Sequence, residues 1–348
     1  MTAPASDALR DAIRLLASGQ PLGGEAVTAA FDVVMRGEGT PSQIAALLIG
    51  LRVRGESPEI VAAVVRAMRS VMVPLPVDDP DALVDTCGTG GGTVQTFNIS
   101  TAAALLAAGA GARVAKHGNR SSTTRSGSAD VLEALGVPIE CPPDVLRRVL
   151  DSADIVFMFA PAMHPAMRHV GPVRRELAIP TVMNVVGPLA NPASAGRQVV
   201  GVSEIGRLPL IAGALASLGS LHALVVYGEP GLDEISPLGP TRVLEVRRGH
   251  GAPESWTIDP ERYGFAGIRE ADLAGGSPEE NAGVILDVLG GGGSTGARAA
   301  VLLNAAAALY VAGIAECFDD GVAAATRALD RGDGLRALER LRAGYQRG

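Results

Sequence analysis

The chain has 348 residues, a net charge of −7, 47% apolar residues and only 3% aromatic ones. Such a length suits a small domain plus a larger one, with a sizeable core of Ala, Leu and Val. The acidic balance lacks a basic cluster, which argues against a nucleic-acid footprint, and Cys87, Cys141 and Cys317 lack metal-site spacing and read as small buried thiols of a reduced, cytoplasmic protein.

Met1–Arg10 carries no basic stretch followed by an apolar run, so no targeting segment is expected. Residues 5–72 read as four helices. Thr40-Pro41 and Ser57-Pro58 are N-cap and first-turn pairs, opening helices over 42–53 and 59–72. Pro74, Pro76 and Pro80 mark a linker, which divides the chain into a helical domain, 1–75, and a larger domain, 76–348.

From Leu83 the rhythm changes to strand and helix. Strands are expected at 83–84, 113–115, 155–159, 198–202 and 223–226, with helices at 102–108, 128–135, 143–150 and 208–218. The β-branched stretch 242–246 reads as the start of an edge hairpin, 290–293 as a turn, and the chain from Pro278 onward as helical. The span 299–315 is nearly all apolar, but it holds Asn304, is bounded by Arg298 and Glu316 and is short for a bilayer, so it reads as a buried core helix. The expected fold class is α/β: a largely parallel central sheet flanked by helices, joined to a small all-helical domain.

Asp85-Thr86-Cys87-Gly88-Thr89-Gly90-Gly91-Gly92 leaves an apolar strand and leads through Asn98-Ile99-Ser100-Thr101 into an Ala/Leu-rich helix. Glycines let successive N–H groups turn onto an anion, and the helix aims its positive end at the same point. Neither the dinucleotide-binding spacing nor the Gly-Lys-[Ser/Thr] ending of a nucleoside-triphosphate loop is present, so the loop alone is equally a plain turn. Lys116-His117-Gly118-Asn119-Arg120 and Ser126-Gly127-Ser128-Ala129-Asp130 follow. Lys116, just after a strand, is placed to reach the same anion as a point charge. Asp233-Glu234 follows an apolar strand that delivers it to the carboxyl edge of the sheet, where such adjacent carboxylates are either solvated surface or metal ligands.

Taken together, these blocks resemble anthranilate phosphoribosyltransferases, a family with a Gly-Thr-Gly-Gly loop, an Asn-Ile-Ser-Thr helix start, Lys-His-Gly-Asn-Arg and Gly-Ser-Ala-Asp in this order. The segment Asn184-Val185-Val186-Gly187-Pro188-Leu189-Ala190-Asn191-Pro192 matches as well. The resemblance implies transfer of the 5-phosphoribosyl group from phosphoribosyl diphosphate to the amine of anthranilate in L-tryptophan biosynthesis, with Mg2+. It makes the chain a homodimer through the helical domain, with part of 165–190 packed on that domain, and implies no nucleic-acid or membrane partner.

By the same resemblance the donor is held by Gly88, Thr89, Gly90, Gly91, Thr96, Asn98, Ser100, Thr101, Lys116 and Ser128, and the metal by Ser100, Asp233 and Glu234. Anthranilate falls to Gly88, His117, Asn119, His164, Met167, Arg174 and Gly187, with Arg168 and Arg175 competing with Arg174 for its carboxylate. No residue is required as acid or base, and His117 is assigned an orienting role. Three positions depart from the family pattern: Gly92 and Ala299 replace frequent Asp residues, and Arg125 replaces Lys. A pyrimidine nucleoside phosphorylase is the enzyme alternative, but it would carry Lys-His-Ser-Thr-Gly-Gly at the loop. A non-catalytic, nucleic-acid-binding relative is the alternative from another class, and it would need a basic groove.

Overall fold

The computed structural model describes residues 5–121 and 125–346. Four helices come first: α1 (Ala5–Ala17), α2 (Gly24–Met35), α3 (Pro41–Arg54) and α4 (Pro58–Ser70). At the start of α3 the Thr40 hydroxyl accepts from the Gln43 amide and the Gln43 side chain accepts in return from the Thr40 amide. Ser57 accepts from the Ile60 amide at the start of α4, and Pro follows each cap. Each cap satisfies an N–H that helix geometry leaves orphaned, worth about 1 kcal/mol.

Strands and helices then alternate through β1 (Leu83–Gly88), α5 (Ile99–Gly109), β2 (Arg113–Gly118), α6 (Ser128–Ala134), α7 (Pro143–Ala153) and β3 (Ile155–Phe159). Three short helices, α8 (Ala160–Met163), α9 (Gly171–Leu177) and α10 (Met183–Val186), connect to β4 (Arg197–Gly201), α11 (Leu208–Ser217) and β5 (His222–Gly228). A hairpin of β6 (Thr241–Arg247) and β7 (Glu254–Ile258) precedes α12 (Pro278–Leu289), α13 (Thr295–Ala312), α14 (Phe318–Asp330) and α15 (Asp333–Gln346).

The strands form one sheet in the order β3-β2-β1-β4-β5-β6-β7, parallel through β5 and antiparallel in the hairpin. Strand order reverses between β1 and β4, which opens a crevice at their carboxyl ends. Alternate strand residues serve two cores: Val199, Leu224 and Val226 face α5, α13 and α15, whereas Val200, Ala223 and Val225 face α1–α4 and α11. Val170 and Val173 beside and in α9, and Val185 and Val186 in α10, belong to the second core. A side chain at Gly321 of α14 would collide with the Ala306 backbone of α13, and this close approach is how a core poor in aromatics fills its space.

Two expectations change. β1 and β2 run on to Gly88 and Gly118, because Thr86, Cys87 and Gly88 pair with Val199, Val200 and Gly201, and Lys116 and His117 pair with Phe157 and Met158. Lys116 is therefore inside a strand and not after one. Cys317, read as buried, is exposed and caps α14 by accepting from the Asp320 amide. The apolar span after Arg298 is α13, 83% buried within the protein.

Candidate active site

At the switch point Gly88 of β1 pairs with Gly201 of β4. Both lie against Asp233: a Cβ at Gly201 would collide with the Asp233 backbone carbonyl, and one at Gly88 with its carboxylate. Glycine is thus required at both positions to let the loop after β5 descend onto the sheet edge. Gly90 and Gly91 need glycine for another reason, since their φ angles of 72° and 80° turn the loop through the left-handed region. The turn aims the Gly90 amide at Asp233, donating to Oδ2 at 2.7 Å, while the Thr89 amide donates to the Gly201 carbonyl at 2.9 Å. Ser203, which the sequence reading does not single out, donates its hydroxyl to the Gly90 carbonyl.

Glu234 turns the other way and accepts from the Ser100 amide at 3.0 Å, in the first turn of α5. Burial and the neighbouring Asp233 push its carboxyl up to about 8, opposed by Lys116, and burial also raises Asp233. A pair of part-buried carboxylates with raised affinity for protons is an electron-rich donor set lacking enough positive charge. Among the described residues no three His, Cys, Asp or Glu side chains converge, so a cation here must take its remaining ligands from elsewhere. That suits Mg2+, which is usually held by one or two carboxylates together with water and substrate phosphates.

Lys116 is buried, and its ammonium donates to the Thr86 carbonyl at 2.6 Å and to the hydroxyls of Thr86 and Ser100. It therefore supplies charge beneath the start of α5, bound to β1. Burial lowers its pKa, opposed by Asp85. Asp85 is fully buried and accepts from the His117 amide at 3.1 Å and from the Asn191 side chain at 2.8 Å. Burial raises its carboxyl to about 6. Asp85 and Asn191 stand in the sequence only as members of motifs, and the contact between them ties β1 to the 184–192 segment.

The other residues expected to hold the donor spread over neighbouring positions. Asn98 is occupied by protein: its amide donates to the Ser126 carbonyl and its oxygen accepts from Ser126 and Asn281. Thr101 is buried, with no partner for its hydroxyl among the described residues, and Thr96 bridges to Ala274. Ser128 opens α6 and donates to the Asn119 carbonyl at 3.3 Å. Arg125 is exposed, Ala299 is buried in α13, and Gly92 lies against Gly231 beside Asp233, where a family-type Asp would add a third carboxylate to the pair.

Of the expected acceptor residues, His117 and His164 lie together. Their ring centroids are 5.1 Å apart, and each Nε2 is buried without a partner among the described residues. Burial holds their pKa values near 3 and 4 respectively, so both rings are neutral at pH 7, polar, and weak as bases. Gly187 contacts the His117 ring through its backbone and borders open space. Asn119 is exposed at the end of β2, and Met167 is part-buried before α9. Arg174 of α9 is half-buried with no acidic partner among the described residues, and burial lowers its pKa. Arg168 instead leans on His169, and Arg175 is exposed.

Family models match almost the whole chain: the helical bundle domain of a glycosyl transferase family over residues 10–72, and its a/b domain over 80–335. Among curated relatives, the anthranilate phosphoribosyltransferase of Rubrobacter xylanophilus is 48% identical, covering 96% of each chain. That of Phenylobacterium zucineum is 47% identical over 97% of this chain and 98% of its own. Among solved structures, anthranilate phosphoribosyltransferase from Thermus thermophilus superposes with a TM-score of 0.90 at 42% identity, covering 97% of this chain and 99% of that one. The Saccharomyces cerevisiae enzyme in complex with PRPP and Mg gives 0.89 at 26% identity, covering 98% of each chain.

Proposed function

The chain belongs to the anthranilate phosphoribosyltransferase family, and we propose that it transfers the 5-phosphoribosyl group of phosphoribosyl diphosphate to the amine of anthranilate. The products are N-(5-phosphoribosyl)anthranilate and diphosphate, a step of tryptophan biosynthesis. The observation that carries the reading is the Asp233 carboxylate seated on the Gly90 amide: a loop built to bind an anion sits directly against an acidic pair. A diphosphate entering that loop meets like charge unless a cation stands between, so the same contact calls for magnesium.

In this reading Gly88–Gly91 and the start of α5 hold the diphosphate, with Ser100, Asp233 and Glu234 as the protein's ligands to magnesium. When bound there, the ion supplies neutralisation of charge developing on the leaving group. Lys116 adds positive charge to the Ser100 end of the site. Asn119 and the neutral rings of His117 and His164 orient the acceptor, and Arg174 pairs with its carboxylate. With both histidines neutral and weakly basic, rate enhancement comes from positioning and electrostatics and not from proton abstraction.

Two further expectations go with this role: a cytoplasmic location and a homodimer formed through α1–α4. The homodimer rests on family membership alone. Sedimentation of the purified chain at the monomer mass would remove it. The activity itself is tested by mixing the protein with phosphoribosyl diphosphate, Mg2+ and anthranilate. Loss of anthranilate fluorescence in step with diphosphate release is the expected result, and no loss with folded protein refutes the reading.

A further inference from the structure

Helix α13 is apolar along most of its length, and Asn304 stands in it surrounded by Leu303, Ala305, Ala306 and Ala307, all buried. Asn304 is itself only 3% exposed. Burying a primary amide at such a position is unfavourable unless all its polar atoms are satisfied, and they are. Its Oδ1 accepts from the Ile235 amide at 2.9 Å, and its Nδ2 donates to the Ile235 carbonyl at 2.9 Å and to the Ala300 carbonyl one turn back. Both backbone groups of one residue are thus gripped by one side chain from a different element. An amide carries the one acceptor and two donors this grip uses, whereas aspartate lacks the donors and leucine lacks both.

The residue gripped is the one after Asp233-Glu234. On the other side of the pair, Leu232 is held by reciprocal backbone hydrogen bonds with Gly228. A cavity of about 10 Å³, at the lower limit for holding a single water, lies between Asn304, Glu234, Ser100 and Thr86, so Asn304 and the carboxylate border the same space. We propose that Asn304 is a positioning residue for the donor site, fixing the Ile235 peptide so that Asp233 stays on the Gly90 amide of the glycine loop and Glu234 on the Ser100 amide at the start of α5. The inference rests on the assignment of that pair to magnesium and diphosphate.

The test compares Asn304→Leu with Leu303→Ala, a neighbouring core truncation that removes no hydrogen bond to Ile235. Two quantities are read well below each melting temperature: calorimetric affinity for phosphoribosyl diphosphate with Mg2+, and the Mg2+ concentration for half-maximal rate. Asn304→Leu is expected to weaken both by about tenfold or more, as loss of two buried hydrogen bonds to the loop implies, with the KM for anthranilate little changed. Leu303→Ala is expected to lower the melting temperature while leaving both at parental values. Parental affinity and Mg2+ response in Asn304→Leu overturn the proposal, and so does an equal shift in Leu303→Ala. If Asn304→Leu does not fold, Asn304→Asp takes its place, keeping the acceptor and losing the donors, and parental affinity there overturns the proposal equally. The double variant Asp233→Asn, Glu234→Gln is run alongside. Should it bind the donor with Mg2+ as the parent does, the assignment of the pair falls first; should it lose binding while Asn304→Leu keeps it, only the role of Asn304 falls.

Discussion

Gly88→Ala acts on the contact around which the proposed donor site is assembled. A Cβ at Gly88 would lie 2.9 Å from Cγ of Asp233 and 3.1 Å from its carbonyl oxygen, with Oδ2 closer still. Ordinary contact between such atoms needs about 3.5 Å, so the carboxylate must retreat by roughly an ångström. The oxygen that must retreat furthest is the one receiving the Gly90 amide, so that bond is lost. Gly88 does not have a positive φ, and alanine fits its strand pairing, so the effect is confined to the loop it faces. A misplacement of about 1 Å in a positioned group costs on the order of 100-fold in rate, equivalent to about 2.7 kcal/mol on the barrier. The assay is initial rate against phosphoribosyl diphosphate at several Mg2+ concentrations, with circular dichroism as the check on folding. A folded Gly88→Ala protein with parental kcat/KM for the donor would refute the placement of Asp233 in the working site.

Arg174→Ala should weaken calorimetric binding of anthranilate by roughly 1.5–3 kcal/mol, the worth of a hydrogen bond to a charged group, and leave donor binding alone. Unchanged anthranilate affinity moves the carboxylate partner to Arg168 or Arg175. Asp233→Asn with Glu234→Gln should cut turnover by orders of magnitude and flatten its response to Mg2+; a parental response removes the pair from the metal site. Because the folded Glu234 carboxyl titrates near 8, above its usual 4.5, its contribution to stability is complete below pH 4.5 and is lost as pH rises through 8. The ligand-free parent should therefore melt lower at pH 8 than at pH 5 by more than the double variant does. His117 and His164 act in the opposite sense: their folded values near 3 and 4 lie below the usual 6.5, so the stability they contribute is present above 6.5 and drains away as pH falls toward 3. Replacing both with Asn should flatten the acid side of a plot of denaturation midpoint against pH, and an unchanged slope would place the acid sensitivity elsewhere.

The elements set by local chemistry were legible in the chain. Thr40-Pro41 and Ser57-Pro58 start helices because cap and first turn are encoded within four residues, and the acidic pair stands past β5 because an apolar strand precedes it. What could not be read depends on partners far along the chain. Asp85 to Gly88 and Lys116 to Gly118 look like loop, being polar and glycine-bearing, but they are central strand because Asn191 and Thr86 satisfy their polar atoms. Asp85 and Asn191 are 106 residues apart, and no window along the sequence brings them together. Residue types at the glycine loop fit an anion site and a plain turn equally, and the choice between them, like the division of roles among His117, Asn119 and Arg174, came from family resemblance.

The central seam between β1 and β4 has a consequence for how the molecule forms. Cys87 and Val199 meet across it although 112 residues separate them. Closing so long a loop costs chain entropy before any contact repays it, and topologies rich in distant pairings fold slowly. Emerging from the ribosome, β1 can be flanked by β2 soon after it appears, but its other edge stays open until β4 has been made. The glycine loop is shaped from that open side by Gly201 and Asp233, so it is among the last parts of the protein to take form. A chain halted before Arg197 would carry an unpaired β1 edge, a template for pairing with other chains and a target for chaperones.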